Sequence, residues 1–318
     1  GGATFVLQSG LTTTAASSIS GGGNVTIDAQ DGAVVTINGT YNIAGLTTLL
    51  TAAVFNGDTT FQDLTLSTPS LAGSGHLTIN GKLESFLNIT RLDASLVTIN
   101  GGFSQTRDVY VNGDLTNGRA STMTIGGGSV FTELSPGITM TNNGTLAVGS
   151  SARVMAISSS GAHPRLVNNG TLTVSGSTAF GSTVDFINHG LFTVTSGQFT
   201  LAFQNVGSDG EFHVASGATL RFLHDYDFSS AAGPSLTGDG LIIIQSGATL
   251  TLPLDTDFAG TLEVDGTLVL AAARDPLNMV IAPRFAVLQA VPEPASLALL
   301  GAGASLLMVR RRGGRAGR

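Results

Sequence analysis

Two pairs of aspartates are the residues whose types and spacing best suit catalysis in this chain. Asp225 and Asp227 are separated by one residue, as are Asp255 and Asp257 about 30 residues further on. Paired carboxylates supply the general acid and base of many sugar-cleaving enzymes. If the two segments lie on neighbouring strands, about 4.8 Å apart, the two pairs could meet on one surface.

The alternative role of these aspartates is structural. An Asp-x-Asp sequence close to glycine and proline commonly closes a solvated turn. A catalytic carboxylate also needs neighbours that tune its pKa, and the sequence identifies none. We therefore expect no enzymatic activity and retain the four aspartates only as a candidate polar cluster.

Metal and cofactor chemistry finds little support in the residue types. Cysteine is absent, which excludes thiol catalysis and cysteine-ligated metals. The five histidines show no metal-ligand spacing such as H-E-x-x-H. The sequence predicts no metal site and no cofactor.

The charge distribution argues against a nucleic-acid partner. The chain has 14 basic and 21 acidic residues, a formal net charge of −7. Five of the basic residues lie in 310–318. Residues 1–309 therefore contain nine basic residues and all 21 acidic ones. Phosphate contacts require Lys and Arg, and this body has few of either.

The C-terminal segment 291–318 has three distinct parts. Pro292 and Pro294 keep their neighbourhood extended and accessible. An uncharged apolar run then extends from Ala295 to Val309, followed at once by an arginine cluster. This run has 15 residues and as a helix would be about 22 Å long. A helix that crosses a bilayer unaided needs roughly 20 residues, so the run is too short. The arginines would hold its end on the cytoplasmic side.

This segment resembles the PEP-CTERM sorting signal of Gram-negative and related environmental bacteria. The resemblance rests on the sorting-motif residues Val291, Pro292, Glu293, Pro294, Ala295 and Ser296 and on the membrane-stop residues Arg310, Arg311 and Arg312. It implies processing near the motif by an exosortase, a membrane-embedded cysteine protease or transpeptidase. It also implies a transient inner-membrane anchor, then release or attachment at the cell surface or in an exopolysaccharide matrix. Because a sorting signal requires an exported chain, we also expect a secretory leader to precede Gly1. A plain tail anchor is the alternative.

The body of the chain is strand-rich in composition. It combines 43 glycines with 42% hydrophobic and only 11% charged residues, too apolar for a disordered chain. A short motif, Asn, Asp or His followed by Gly and alternating apolar residues, recurs with its glycines at 144, 170, 190, 210, 240 and 266. Large apolar residues stand two and four places after each glycine, which predicts half-buried strands in a fixed register.

Such repeats cannot bury an apolar face singly, so their coils must stack. We predict an all-β fold, a right-handed parallel β-helix or β-solenoid, with a short C-terminal hydrophobic helix. The predicted units are a solenoid over 1–280, a linker over 281–290 and the sorting signal over 291–318. A helical interruption near 44–55 is an open alternative. The body also resembles the β-strand repeats of bacterial surface proteins, including autotransporter adhesin passenger domains.

The favoured function is that of an exported structural or adhesive protein of the cell surface or biofilm matrix. Its expected partners are the exosortase, the inner membrane before processing, and polysaccharide or cell-surface glycans. The alternative is a β-helix polysaccharide lyase or glycoside hydrolase that uses the four aspartates. An enzyme would need a cleft with converging acids and bases, whereas a spacer tolerates polar residues scattered evenly.

Overall fold

The computed structural model describes residues 4–271, except 9, 31, 69, 86–88, 106, 127–130, 157–160, 181–182, 203–206 and 230–233, and residues 286–288. Every regular element in these residues is a β-strand. None of them forms a helix long and apolar enough to cross a membrane. The predicted C-terminal helix, the sorting motif 291–296 and the arginines 310–312 lie outside the described residues.

The strands are short, as the many glycine-containing turns require. In the first half of the chain they are β1 (Thr4–Leu7), β2 (Ser18–Gly21), β3 (Asn24–Ile27), β4 (Val35–Ile37), β5 (Thr40–Leu49), β6 (Ala53–Phe55), β7 (Thr59–Leu66), β8 (Ser70–Ile79), β9 (Lys82–Ser85), β10 (Ile89–Ile99), β11 (Gly102–Gln105), β12 (Asp108–Val111), β13 (Asp114–Asn117), β14 (Thr122–Ile125), β15 (Phe131–Leu134) and β16 (Thr139–Asn142).

The second half continues in the same way. Its strands are β17 (Thr145–Val148), β18 (Arg153–Ala156), β19 (Arg165–Asn168), β20 (Thr171–Ser175), β21 (Thr178–Phe180), β22 (Asp185–Asn188), β23 (Leu191–Leu201), β24 (Glu211–Val214), β25 (Ala218–Phe222), β26 (Tyr226–Asp227), β27 (Ser235–Gly238), β28 (Leu241–Ile244), β29 (Thr249–Pro253), β30 (Thr261–Val264), β31 (Thr267–Ala271) and β32 (Ala286–Leu288).

These strands wind into a parallel β-solenoid of the right-handed type with about 12 turns, which confirms the predicted architecture. Each turn has three faces, visited in the order first, second, third. The first face includes β3, β9, β11, β14, β17, β20, β24 and β27; the second includes β4, β6, β12, β15, β18, β21, β25, β28 and β30; the third includes β2, β13, β16, β19 and β22.

Five long strands turn a corner and so belong to two faces: β5, β7, β8, β10 and β23. They join the three faces into one 29-stranded sheet, while β26, β29 and β31 form a separate three-stranded sheet at the third-face position near the C-terminal end. The segment 44–55, where a helix was an alternative, forms parts of β5 and β6 instead. Its β-branched threonines suit a strand better than a helix. The predicted linker 281–290 contains β32, which pairs with β30.

The core consists of the alternate residues that each strand points inward. Leu146, Leu172, Phe192 and Phe212, each two places after a motif glycine, are all 0% exposed. Because each coil alone would leave this apolar surface open on both sides, burial depends on the neighbouring coils above and below. The period-2 pattern predicted from the sequence is confirmed for these strands.

Aromatic side chains fill the core in two clusters. Near the N-terminal end, Tyr41, Phe55 and Phe61 contact one another with ring centroids 5.2 to 5.5 Å apart. Near the C-terminal end, Phe212 and Phe222 contact Tyr226 at 5.7 and 5.1 Å. Such tilted and edge-to-face pairs each contribute about 0.5–1.5 kcal/mol beyond area burial.

A column of buried asparagines runs inside the third face, beside its corner with the first face. It consists of Asn117, Asn142, Asn168 and Asn188, each 0% exposed. The Nδ2 of each of the first three donates to the Oδ1 of the next at 2.6, 2.7 and 2.7 Å. Each of the four also donates to a backbone carbonyl of the following coil, as Asn142 does to Thr171 at 3.0 Å. Because buried amides need such partners, this asparagine column holds its four coils in a single register.

Glycines stack at the same corner because the coils approach too closely there for a side chain. A Cβ on Gly170 would lie 2.1 Å from the carbonyl oxygen of Gly144, and a Cβ on Gly190 would lie 2.0 Å from that of Gly170. The motif glycine is therefore required by backbone contact between coils at this corner.

Candidate functional site

An uninterrupted column of threonines lies on the outside of the third face. Its register pairs join Thr60, Thr78, Thr98, Thr116 and Thr141 in five successive coils. All five are partly exposed. At about 4.8 Å per coil the column extends over about 19 Å. We call it the third-face threonine column.

Each member of this column offers a hydroxyl and a methyl group at a fixed interval on a rigid sheet. The strand that carries it buries the residues on either side, as Leu77 and Ile79 flank Thr78 at 0% exposure. The β-branched side chain has few rotamers, so the hydroxyls vary little in position. Such an array can form repeated hydrogen bonds with an extended polymer that has its own periodic hydroxyls.

The adjacent outward column of the third face is chemically mixed. In the same coils it places His76, Leu96, Asp114 and Thr139. His76 Nε2 lies 2.9 Å from the hydroxyl of Thr98, and Asp114 Oδ1 accepts the backbone N–H of Thr139 at 2.8 Å. This column therefore stabilises the face as well as lining it.

The first face also presents threonines in two shorter runs. Near the N-terminal end its outward residues Thr26, Thr48 and Thr65 stand in one column. Further along, the outward pairs are Thr122/Thr124, Thr145/Ala147, Thr171/Thr173 and Leu191/Thr193. Polar side chains therefore line the first and third faces over many coils.

The six glycine motifs do not all stack, and this corrects the fixed register expected from the sequence. The four strands that follow Gly144, Gly170, Gly190 and Gly210 lie on the first face. The strand after Gly240, β28, lies on the second face, and the strand after Gly266, β31, lies in the separate third-face sheet. The reason is that Gly240 and Gly266 occupy different corners of the coil. The same local motif therefore occurs at all three corners.

The candidate polar cluster divides into two parts. Asp225 Oδ1 accepts the backbone N–H of Thr249, and Asp227 Oδ1 accepts that of Ser229, both at 2.7 Å. In the register Asp227 lies beside Thr251. These two carboxylates therefore bind backbone at turns and at the strand edge.

The other two aspartates lie in the turn after β29. Asp255 and Asp257 line a small pocket of about 140 Å³ together with Phe228. Thr256 stabilises this turn by donating its hydroxyl to the carbonyl of Pro253 at 2.7 Å. Tyr226, between the first two aspartates in sequence, points into the core at 1% exposure, and burial raises its pKa.

Three further histidines contact side chains of the next coil. His163 Nδ1 lies 3.2 Å from Asp185 Oδ1, and His189 Nδ1 lies 2.6 Å from Asp209 Oδ1. His213 Nδ1 lies 2.9 Å from the Thr237 hydroxyl, which donates to Glu211 at 2.6 Å. In the part of the chain that the structure describes, no three His, Cys, Asp or Glu side chains form a group suited to a metal ion.

Sequence reasoning missed both the third-face threonine column and the asparagine column. The threonines occupy the middle place of short segments such as Leu-Thr-Ile and Val-Thr-Ile. Asn142, Asn168 and Asn188 stand two places before a motif glycine, and Asn117 stands directly before Gly118. Those local signals are visible in the sequence. What it lacked was the pairing between coils that turns them into columns.

Comparison with known proteins identifies the C-terminal segment. Residues 290–312 match the family model described as the PEP-CTERM protein-sorting motif. The match includes the predicted sorting-motif and membrane-stop residues, and it confirms the resemblance stated for this segment. No curated protein and no solved structure matches the chain.

Proposed function

We propose that this chain is a non-enzymatic structural or adhesive protein of the cell surface or extracellular matrix. A PEP-CTERM motif implies export, a transient membrane stage and processing by an exosortase. A long β-solenoid is a rigid scaffold that suits an extracellular protein. Stacking of its coils stabilises it without disulfides, and this chain has no cysteine.

The observation that carries the adhesive role is the third-face threonine column. Five hydroxyls in a row, spaced by the coil rise of about 4.8 Å, favour a partner that is itself a repeating polar polymer. Polysaccharide or a cell-surface glycan has this chemistry. Individual hydrogen bonds contribute only about 0.5–1.5 kcal/mol, so strength would come from their number along the column.

Binding is tested with exopolysaccharide purified from exosortase-bearing bacteria. A triple variant, Thr78→Val, Thr98→Val and Thr116→Val, removes three hydroxyls and keeps the shape. Cosedimentation should show at least a fivefold loss of affinity. The matched control replaces Thr26, Thr48 and Thr65 on the first face by valine and should bind within twofold of the wild type. Equal binding by the wild type and the third-face variant would show that the adhesive role is wrong.

Processing is tested by expressing the chain with a secretory leader in an exosortase-bearing host. Mass spectrometry of the exported protein should show cleavage near Pro292–Pro294 and loss of the arginine tail. A Pro292→Ala, Pro294→Ala variant should be retained with its tail. Recovery of exported wild-type protein with Arg318 intact would contradict the proposed processing.

The alternative is a β-helix polysaccharide lyase or glycoside hydrolase. Among the described residues, its supporting feature is the small pocket at Asp255 and Asp257. Assays of polysaccharide cleavage should show no activity in the wild type. An activity that disappears when Asp225, Asp227, Asp255 and Asp257 are replaced by asparagine would favour the enzyme.

A further inference from the structure

A groove of about 500 Å³ crosses the second face where β18, β21 and the end of β23 lie side by side. It is a candidate binding site on the outer surface of the solenoid. Its polar and charged lining includes Ser151, Arg153, Ser177, Gln198 and Thr200, and Ala179 lies among them. We call it the second-face groove.

The groove exists because one outward column contains a small residue between larger ones. Register pairs place Arg153, Ala179, Thr200 and Arg221 in four successive coils. Ala179 leaves a depression between Arg153 and Thr200 that a larger side chain would fill. The floor is sheet backbone and is therefore rigid.

Two arginines in one outward column stand out in a chain this poor in cations. Only nine basic residues precede the C-terminal cluster, against 21 acidic ones. Arg153 and Arg221 are three coils apart, about 14 Å along the solenoid axis. Their register neighbours are Phe131 and Ala179 for Arg153, and Thr200 and Ile243 for Arg221. A planar guanidinium group pairs with a carboxylate through two parallel hydrogen bonds.

The backbone at the rim of the groove supplies an independent observation. Ser151 has a φ of 65°, the one positive φ of a non-glycine residue in the described chain. At the same corner, three coils later, the equivalent position is a glycine: Gly217, three places after Val214 as Ser151 is after Val148, has a φ of 75°. A non-glycine residue there costs about 1 kcal/mol or more, and such strain concentrates at functional sites. Ser151 thereby keeps a hydroxyl at the rim where glycine would be more stable.

We propose that the second-face groove binds a carboxylated polysaccharide whose chain runs along the solenoid axis. Arg153, which lines the groove, and Arg221, one coil beyond Thr200 at its end, pair with carboxylates of two separate sugar units. Ser151, Ser177, Gln198 and Thr200 form hydrogen bonds with the hydroxyls between them. The inference rests on the proposed surface function and specifies the polymer class that this face recognises.

The test uses oligogalacturonate and its methyl ester, in which a methyl group on each carboxyl removes its charge. Calorimetry on the 318-residue chain should show binding of the acid and at least tenfold weaker binding of the ester. Arg153→Gln and Arg221→Gln should each lower affinity about fivefold, and the affinity of the wild type should fall as salt screens the pairs. Arg165→Gln, on the third face beside Asp185, is the matched control and should leave affinity unchanged.

Two further variants test the groove by shape and by strain. Ala179→Leu fills the depression and should abolish binding while circular dichroism stays that of the wild type. Ser151→Gly should raise the thermal midpoint because the strain is relieved, yet weaken oligogalacturonate binding about threefold. A purely structural role for Ser151 would raise the thermal midpoint of Ser151→Gly without weakening oligogalacturonate binding.

The results separate this inference from the adhesive role of the third face. Equal affinity for the acid and the ester, or equal losses in Arg153→Gln and Arg165→Gln, would overturn the groove proposal. Binding of a sulfated oligosaccharide as tightly as the galacturonate would show a general anion site and overturn its carboxylate specificity. The third-face threonine variants should leave oligogalacturonate binding unchanged, so either proposal can fail alone.

Discussion

One inward position of the third face is filled by two different chemistries along the solenoid. In the N-terminal coils it holds Ile43, Phe61, Ile79 and Ile99; in the next coils it holds Asn117, Asn142, Asn168 and Asn188. The residues of both sets are almost completely buried. The fold therefore accepts a continuous apolar column or a continuous amide column at the same place.

Both columns are continuous, but the apolar one and the amide one are stabilised in different ways. A buried apolar residue is stabilised by whatever apolar surface lies next to it, with little regard for direction. A buried amide is stabilised only by a partner at the correct distance and angle. Burial alone therefore sets the register of the apolar coils, whereas hydrogen-bond geometry adds a second requirement in the amide coils.

The junction between the two columns carries a defect. Asn117 is the first amide, and its Oδ1 is buried without a hydrogen-bond partner because Ile99 precedes it. The other end is closed, since Asn188 donates to the backbone carbonyl of Glu211 at 2.9 Å. The asparagine column is thus fully satisfied at one end only.

Breaking the amide column in its middle should have the largest effect. Asn168→Leu removes the bonds to Asn142 and Asn188 and leaves buried donors and acceptors without partners. Each such group costs about 1–3 kcal/mol, so the free energy of unfolding should fall by about 3–5 kcal/mol. Urea denaturation of the 318-residue chain measures the change. A loss below about 1 kcal/mol would show that the column contributes little.

Introducing asparagine into the apolar column should depend on distance from the junction. Ile79→Asn places an amide between Phe61 and Ile99 and should cost about 3–4 kcal/mol. Ile99→Asn loses similar apolar area but can donate to the unpartnered Oδ1 of Asn117. It should therefore cost at least about 1 kcal/mol less. Equal losses in the two variants would contradict the account of the junction.

Tyr41 brings a titratable group into the apolar coils. Burial raises its pKa from 10.0 to about 12, against a smaller opposing effect of its hydrogen bond with Thr47. Because the unfolded chain loses this proton first, stability is fully present below pH 10 and is lost as pH rises towards 12. The wild type should lose about 2–3 kcal/mol more than Tyr41→Phe over this interval. Parallel pH profiles of the two proteins would contradict this.

The outer side of the asparagine corner should be the least sensitive. Asn169 Nδ2 donates to Asn143 Oδ1 at 2.9 Å, but this pair is exposed. Water can replace the lost bond, so Asn169→Ala should cost no more than about 0.5–1 kcal/mol. Urea denaturation beside Asn168→Leu checks the contrast between neighbouring residues. A loss equal to that of Asn168→Leu would show that burial does not explain the difference between the exposed pair and the asparagine column.

On the outer surfaces, the sequence shows which residues point outward, but only the pairing of strands shows which of them lie side by side. Thr78 and Thr98 each stand in a three-residue segment with the pattern Leu/Val-Thr-Ile, which identifies them as outward residues. Their alignment into a column depends on the pairing of β8 with β10. Ala179 and Arg153 give no local sign of a groove, because the depression arises only when β18 lies beside β21.

The sequence by itself determined the strand pattern and the sorting motif. Alternating burial depends on the two-residue period of a strand, and the motif depends on contiguous residues, so both are local. Only the tertiary structure decided which coils meet. The corners fall at unequal intervals, 20 residues between Asn168 and Asn188 but 26 between Asn142 and Asn168. Because loops of different length can close the same coil, residue spacing alone could not assign Gly240 and Gly266 to their faces.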